Sequence, residues 1–270
     1  MNIVKTLKII SLSIILYLVV FVCDIFYFPI SYNKLDFPQR TIVNSINTSW
    51  DGKVKSVPAE EQGLVSQDEL MKSLNFLERR FVDRVFAIDP KVLGFKGDFF
   101  SKEIPSDLVK VLDKEIKLGD VDVGINYLPQ AVFDDYSSMN EKMEKDINKE
   151  LFVESGYRSP GYQAYLFFYY LPENNYSLME NSKWLTMPGY SEHNSQNTAI
   201  DFISADGIDG DAGEQTIDDF MRLEEYKWLE NNAMEYNFYL SYPENNPYGI
   251  SFEPWHWHWE KKIDIINDNK

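Results

Sequence analysis

The chain opens on an apolar run. Lys5 and Lys8 precede an uncharged stretch from Ile9 to Cys23, and Asp24 follows. Positive charge before the run and none after it is the pattern of a segment crossing from inside to outside. The run is short of the roughly 20 residues of a full span, although Leu7 and residues 25–30 extend it, and a secretory h-region is shorter still. No A-x-A-like cleavage site follows, and Phe21 and Val22 make a poor lipoprotein box ahead of Cys23. Residues 1–30 are therefore expected to be a signal anchor or signal peptide. Residues 31–64 are polar and broken by Pro38 and Pro58, which predicts an irregular linker.

Helical periodicity starts at residue 65. Ser66-Gln67-Asp68-Glu69 is a capping box, with Val65 and Leu70 in the hydrophobic-staple positions. Leu70, Leu74, Leu77, Phe81, Val85 and Ile88 then form one stripe that Pro90 ends. Residues 65–124 are expected as a helical extension, although 91–125 carry no clear period. A second helix is predicted from about Pro129 to Asn148, with Val132, Tyr136, Met139, Met143 and Ile147 on one face. Leu151–Glu154 reads as a strand, and Ser159-Pro160 as an N-cap followed by proline at the first helical position. Thr198–Ile203, Phe238–Tyr242 and Phe252–Trp259 read as strands, and 217–235 as a helix. Short strands interspersed with helices, without regular βαβ spacing, predict an α+β fold.

Composition narrows the chemistry. Among 270 residues, 43 acids outweigh 26 Lys and Arg, for a net charge of −17. Nucleic-acid binding through a basic face is excluded. A single cysteine, Cys23, excludes internal disulfides and Cys-rich zinc modules. The three histidines lie between positions 193 and 258. His193 follows a turn-rich Pro188-Gly189-Tyr190-Ser191-Glu192, Asp201 lies in a strand-like run, and Glu253 precedes His256 by three residues. Two imidazoles and a carboxylate make a three-ligand zinc set with one position left for water, beside which Glu253 is placed to move a proton. In Trp255-His256-Trp257-His258-Trp259, period two puts both histidines on one strand face. That pattern leaves open a second ligand pair or a solvated edge. Arg158 falls between a strand and a helix N-terminus, a place suited to gripping a carboxylate.

Four segments, taken in order, resemble a known family: Ser155-Gly156-Tyr157-Arg158-Ser159, Pro188-Gly189-Tyr190-Ser191-Glu192-His193, Ala199-Ile200-Asp201 and Glu253-Pro254-Trp255-His256. Together they are similar to VanY-type D-alanyl-D-alanine carboxypeptidases, of a zinc peptidase superfamily that includes L,D-carboxypeptidases and phage endopeptidases. The resemblance spans residues 125–262. It implies a small α+β zinc-peptidase domain binding one Zn2+ through His193, Asp201 and His256. In that reading Glu253 is the general base, Arg158 holds the substrate's terminal carboxylate, and Gln163 and Ser191 line the substrate cleft. His258 becomes a neighbour rather than a ligand. The expected activity is removal of a C-terminal D-alanine from peptidoglycan stem peptides by a monomer outside the cytoplasm, held at the membrane through its N-terminal segment or secreted. One departure stands out: the family spaces its first His and Asp seven apart with a glycine between, whereas here the spacing is eight, through Asn194-Ser195-Gln196-Asn197. Asn197 is expected to supply the left-handed turn. The same departure motivates one alternative, a non-catalytic wall-peptide-binding module; a peptidoglycan endopeptidase on the same fold is the other.

Overall fold

The structure, a computed structural model, describes residues 29–261 together with scattered positions between 10 and 27. Most of the expected anchor therefore lies outside the described residues. Among the described residues no helix is long and apolar enough to cross a membrane.

The stretch expected to be an irregular linker instead holds a long helix, α1 (Phe37–Lys55). Asp36 caps it by accepting the Gln39 N–H at 3.0 Å, and a proline occupies its first turn. Its buried stripe of Ile42, Val43, Ile46, Trp50 and Val54 has helical spacing. The intervening Asn, Ser and Thr hid that stripe from a reading by composition. A short α2 (Ala59–Gln62) follows. The stripe from Leu70 to Ile88 forms two helices rather than one, α3 (Gln67–Ser73) and α4 (Phe76–Phe86). Ser66 and Glu69 close the expected capping box, and Asn75 with Glu78 closes a second that breaks the stripe.

Residues without clear period form two small antiparallel pairs. β1 (Leu108–Lys110) pairs with β4 (Tyr127–Pro129), and β2 (Ile116–Leu118) with β3 (Val121–Val123). α5 (Gln130–Ile147) buries Val132, Tyr136, Met139 and Met143, the face its periodicity predicts. β5 (Leu151–Ser155) leads to α6 (Pro160–Tyr169), capped by Ser159, whose Oγ accepts the Tyr162 N–H at 3.0 Å. α7 (Leu178–Asn181) and β6 (Ala199–Ser204) follow. The single helix expected over 217–235 is interrupted at Arg222–Leu223, giving α8 (Ile217–Met221), α9 (Glu224–Asn232) and a 3-10 turn to Tyr236. β7 (Phe238–Leu240) and β8 (His256–Trp259) complete a four-stranded antiparallel sheet in the order β5-β6-β8-β7. β8 is shorter than expected, so Glu253 lies in the approach to the strand rather than within it.

Two apolar cores flank the site. One joins the sheet to α5 and α9 through Phe202, Phe220, Phe238, Trp257 and their neighbours. The other packs α1, α3 and α4 against α6, with Trp50, Phe81, Phe167 and Phe168 at its centre. Trp50 meets Phe168 edge to face at 5.2 Å. The helical extension thus forms one wall behind α6, the helix that starts beside Arg158.

Candidate active site

Strand pairing does most of the positioning. Asp201 on β6 lies directly opposite His256 on β8, which puts both side chains on one face. His256 Nδ1 is 2.8 Å from Asp201 Oδ1. His193 arrives from a 3-10 turn, Glu192–Asn194, capped by Ser191. Its carbonyl accepts hydrogen bonds from the Arg158 N–H at 3.0 Å and the Thr198 hydroxyl at 3.1 Å. Its Nε2 lies 3.1 Å from Asp201 Oδ2. One ligand atom from each of His193, Asp201 and His256 falls within 4.8 Å of the others.

Hydrogen bonds decide which nitrogen each ring offers. His193 Nδ1 sits 2.8 Å from the Gly156 carbonyl, so it must be the N–H donor. Burial, then the Arg158 charge, lowers His193 to about 4. The ring is therefore neutral, and Nε2 carries a lone pair. That buried atom has no hydrogen-bond partner; it is close to a carboxylate oxygen that likewise can only accept. Two acceptors facing each other in a buried site call for a cation between them, so this donor set fits a divalent ion bound by imidazole and carboxylate. In His256, Nε2 is 2.8 Å from Glu192 Oε2. If Glu192 takes that proton as its hydrogen bond, Nδ1 is left as the ligating atom.

Electrostatics agree with this arrangement. Burial would raise Asp201, but the two histidines hold it well below the usual carboxylate range. Burial works against charge on His256, yet Asp201 and Glu192 together raise it to about 10. Glu253, 3.8 Å from His256 Nδ1, is pushed by burial to about 8, poised to carry a proton near neutrality. Arg158 places NH2 3.9 Å from Asp201 Oδ2 and keeps its buried Nε without a partner. Its guanidinium therefore has donor capacity to spare for an incoming anion.

All seven residues singled out in the sequence line one cavity of about 760 Å3 or its ligand cluster. Gln163 donates Nε2 to the Thr186 carbonyl at 2.9 Å and leaves Oε1 unpaired. Ser191 Oγ accepts the His193 N–H at 3.3 Å, so part of its role is to cap the ligand turn. His258 turns away, with Nδ1 2.8 Å from the Ser241 hydroxyl and its ring stacked on Tyr239. The left-handed turn expected at Asn197 is not made. Ser195 Oγ accepts the Asn197 N–H at 2.9 Å instead, and this side-chain turn absorbs the extra residue without separating His193 from Asp201.

Three residues escaped the sequence reading. Glu192 was visible only as the acid beside His193. Tyr242, whose ring centre is 4.8 Å from that of His256, carries no local signal. Glu154 is set by a bulge: Val153 pairs with Phe202 and Ser155 with Asp201, which leaves Glu154 unpaired on the cavity wall.

An α+β fold whose main sheet gathers two imidazoles and a carboxylate, with a buried acid and an arginine alongside, defines a hydrolase-type cavity suited to a divalent cation. The chain belongs to the VanY family: the model for this family, described as D-alanyl-D-alanine carboxypeptidase, matches residues 125–262. It is 31% identical over 181 residues to a D-alanyl-D-alanine carboxypeptidase of Enterococcus faecium, covering 64% of this chain and 52% of that one. It is 30% identical over 194 residues to the putative carboxypeptidase YodJ of Bacillus subtilis, covering 69% and 64%. The chain thus spans between half and two thirds of the length of these curated relatives. Among solved structures, a vancomycin-resistance D,D-pentapeptidase in complex with Zn(II) aligns with TM-score 0.45 and 19% identity, covering 62% of this chain and 86% of that one.

Proposed function

We propose that this protein is a zinc-dependent carboxypeptidase that removes a C-terminal D-alanine from peptidoglycan stem peptides outside the cytoplasmic membrane. The observation that carries the proposal is the convergence of His193 Nε2, His256 Nδ1 and Asp201, with Glu253 and Arg158 alongside. When bound there, a divalent ion supplies Lewis acidity that polarises the scissile carbonyl and acidifies water. The chain's own residues supply the rest. Glu253, buried 3.8 Å from His256 Nδ1, takes the proton of the attacking water in its carboxylate form and passes it to the departing amine. Arg158 pairs with the terminal carboxylate and sets how deep the peptide sits. The unspent donors of Arg158 favour a substrate with a free C-terminus, and so exopeptidase over endopeptidase action.

The test is to incubate the full chain with a stem pentapeptide and, separately, a stem tetrapeptide, with and without a zinc chelator, and to follow product mass. Chelator-sensitive loss of one alanine is expected, and the peptide that loses it identifies the enzyme as D,D- or L,D-specific. Peptides that stay intact on metal-loaded protein would sink the proposal and leave the binding module or the endopeptidase, which crosslinked muropeptides would separate.

A further inference from the structure

One stretch of the surface departs from the rest of the chain in both charge and apolarity. From Pro90 to Lys102, three lysines (Lys91, Lys96 and Lys102) stand against one acid, Asp98, in a protein of net charge −17. All three lysines are exposed, and among the described residues none forms an ion pair. Of the acids at the edges, Asp89 accepts the Lys91 N–H at 2.9 Å, and Glu103 follows Lys102. Interleaved with the lysines are Val92, Phe99 and Phe100, at 50%, 53% and 41% exposure. Apolar residues scattered singly over a surface are ordinary, but these stand together. Phe99 and Lys91 both line a concavity of about 450 Å3 at the end of α4. A Cβ on Gly189 would come within 2.6 Å of the Phe99 ring and 3.2 Å of Lys102. Phe100 donates its N–H to the Gly189 carbonyl at 2.8 Å, and Phe99 meets Tyr190 edge to face at 5.4 Å. The loop is thus fixed onto the chain that leads into the His193 turn, with its rings half in solvent.

Its place in the fold points to what covers it. Followed backwards along α1, Lys53, Trp50 and Ser45 meet Glu69, Leu70 and Glu78 in turn, so α1 runs antiparallel to α3 and α4. Continuing past the Ser45–Glu78 contact by about 12 Å along each helix, at 1.5 Å per residue, brings Phe37 and Phe86 to the same end. The patch begins just past Phe86, and the apolar run Ile9–Cys23 precedes Phe37 in the sequence. Aromatic rings with lysines, at the end of the fold that an apolar segment joins, have the composition of a membrane–water boundary.

We propose that Val92, Phe99 and Phe100, with Lys91, Lys96 and Lys102 around them, seat the folded domain on a bilayer surface bearing anionic headgroups, as a second attachment beside the N-terminal run. The rings enter the headgroup boundary while the ammonium groups face lipid phosphates, and buried apolar area and charge attraction add in such binding. Because Gly189 and Tyr190 lie against the loop, seating also fixes how the His193 turn and its cavity are oriented to the bilayer. The inference goes beyond the peptidase reading and stands whether or not that reading holds.

The test is peptide-resolved hydrogen exchange of the full chain in phosphatidylcholine vesicles, in mixed phosphatidylcholine–phosphatidylglycerol vesicles, and in nonionic detergent micelles. Amides of residues 96–102 are expected to exchange more slowly on the mixed vesicles than on the neutral ones, by about fivefold for each lysine engaged, and the difference should shrink with salt. Combining Lys91→Gln, Lys96→Gln and Lys102→Gln, all at exposed positions, is expected to abolish the difference between the two kinds of vesicle without disturbing packing. Phe99→Ser combined with Phe100→Ser is expected to remove the protection on both. Equal exchange over 96–102 in all three media, or slowing on anionic vesicles that survives the lysine variant, would overturn the proposal. Slowing that follows protein concentration in micelles rather than lipid would also overturn it, and would make this face a contact between copies of the chain. The readout needs no turnover, so it is independent of whether the stem peptides are cleaved.

Discussion

Replacing Glu192 tests whether the proposed metal site extends beyond its three proposed ligands. His256 Nε2 lies 2.8 Å from Glu192 Oε2, with side chains only 5% and 14% exposed. A hydrogen bond to a charged group in such a setting contributes about 1.5–3 kcal/mol. Its removal leaves the buried imidazole N–H unpaired and releases the tautomer that presents Nδ1 to the metal. Loss of a carboxylate partner behind a ligating histidine typically weakens metal affinity by about 10- to 100-fold, about 1.4–2.8 kcal/mol, so the two routes agree. Glu192→Ala is expected to lose zinc affinity by that factor, read by competition with a chromophoric chelator. Glu192→Gln keeps an acceptor at the same place and should lose less than about tenfold. A Glu192→Ala protein that binds zinc within twofold of the parent would refute the reasoning. So would a Gln variant no better than Ala, since the acceptor would then be irrelevant.

Other outcomes follow from the same geometry. Glu253→Gln should retain zinc while turnover falls by about 10^2- to 10^4-fold, measured as product mass against bound metal. Arg158→Lys keeps the charge but loses the fork, so KM for free-carboxylate peptides should rise about tenfold or more while amidated peptides stay poor substrates. In the metal-free protein His256 is raised from 6.5 to about 10. A raised value contributes stability that is complete below 6.5 and lost as pH rises through 10, so the thermal midpoint of metal-free protein should fall between pH 7 and 10; a midpoint that rises over that range would contradict the His256 pairing. Gly161→Ala places a Cβ 2.2 Å from the Val65 carbonyl and 2.5 Å from the Gln67 nitrogen. Backbone on both sides cannot yield cheaply, so this variant should melt earlier and show a raised KM, with zinc affinity largely kept.

What could be read from the sequence divides along physical lines. The face of α5 was visible because Val132, Tyr136, Met139 and Met143 repeat at helical spacing with little else apolar nearby. The proposed ligands could be picked out because rare residue types stand in ordered motifs, and β-pairing of Asp201 with His256 needs only that both strands exist. α1 was not visible, since its stripe is diluted by polar neighbours and its partner surface, α6, lies more than a hundred residues away. The break between α3 and α4 was hidden because Asn75 sits inside an unbroken apolar period, and only its cap bonds to Leu77 and Glu78 show that it starts a helix. Glu192, Glu154 and Tyr242 matter through contacts across 64, 47 and 14 positions of sequence, to His256, Asp201 and His256 in turn, and no local pattern encodes such distances.

The helical extension is better understood through the turn it touches than as a separate unit. Ser159 donates its hydroxyl to the Val65 carbonyl at 2.6 Å, and its N–H to the Gly63 carbonyl at 2.9 Å. These bonds tie the start of α3 to the residue after Arg158. Arg158 in turn donates its N–H to the His193 carbonyl and accepts the Asn194 side-chain amide. One continuous run of hydrogen bonds therefore leads from the extension, through the proposed carboxylate clamp, to the turn carrying a proposed metal ligand. A clamp must hold its geometry within a fraction of an ångström to set the scissile bond over the reacting groups. Turns on their own are mobile. Packing α1, α3 and α4 against α6 around Trp50 and Phe168 gives this turn a rigid backing, which accounts for a helical layer being built onto the domain at this place.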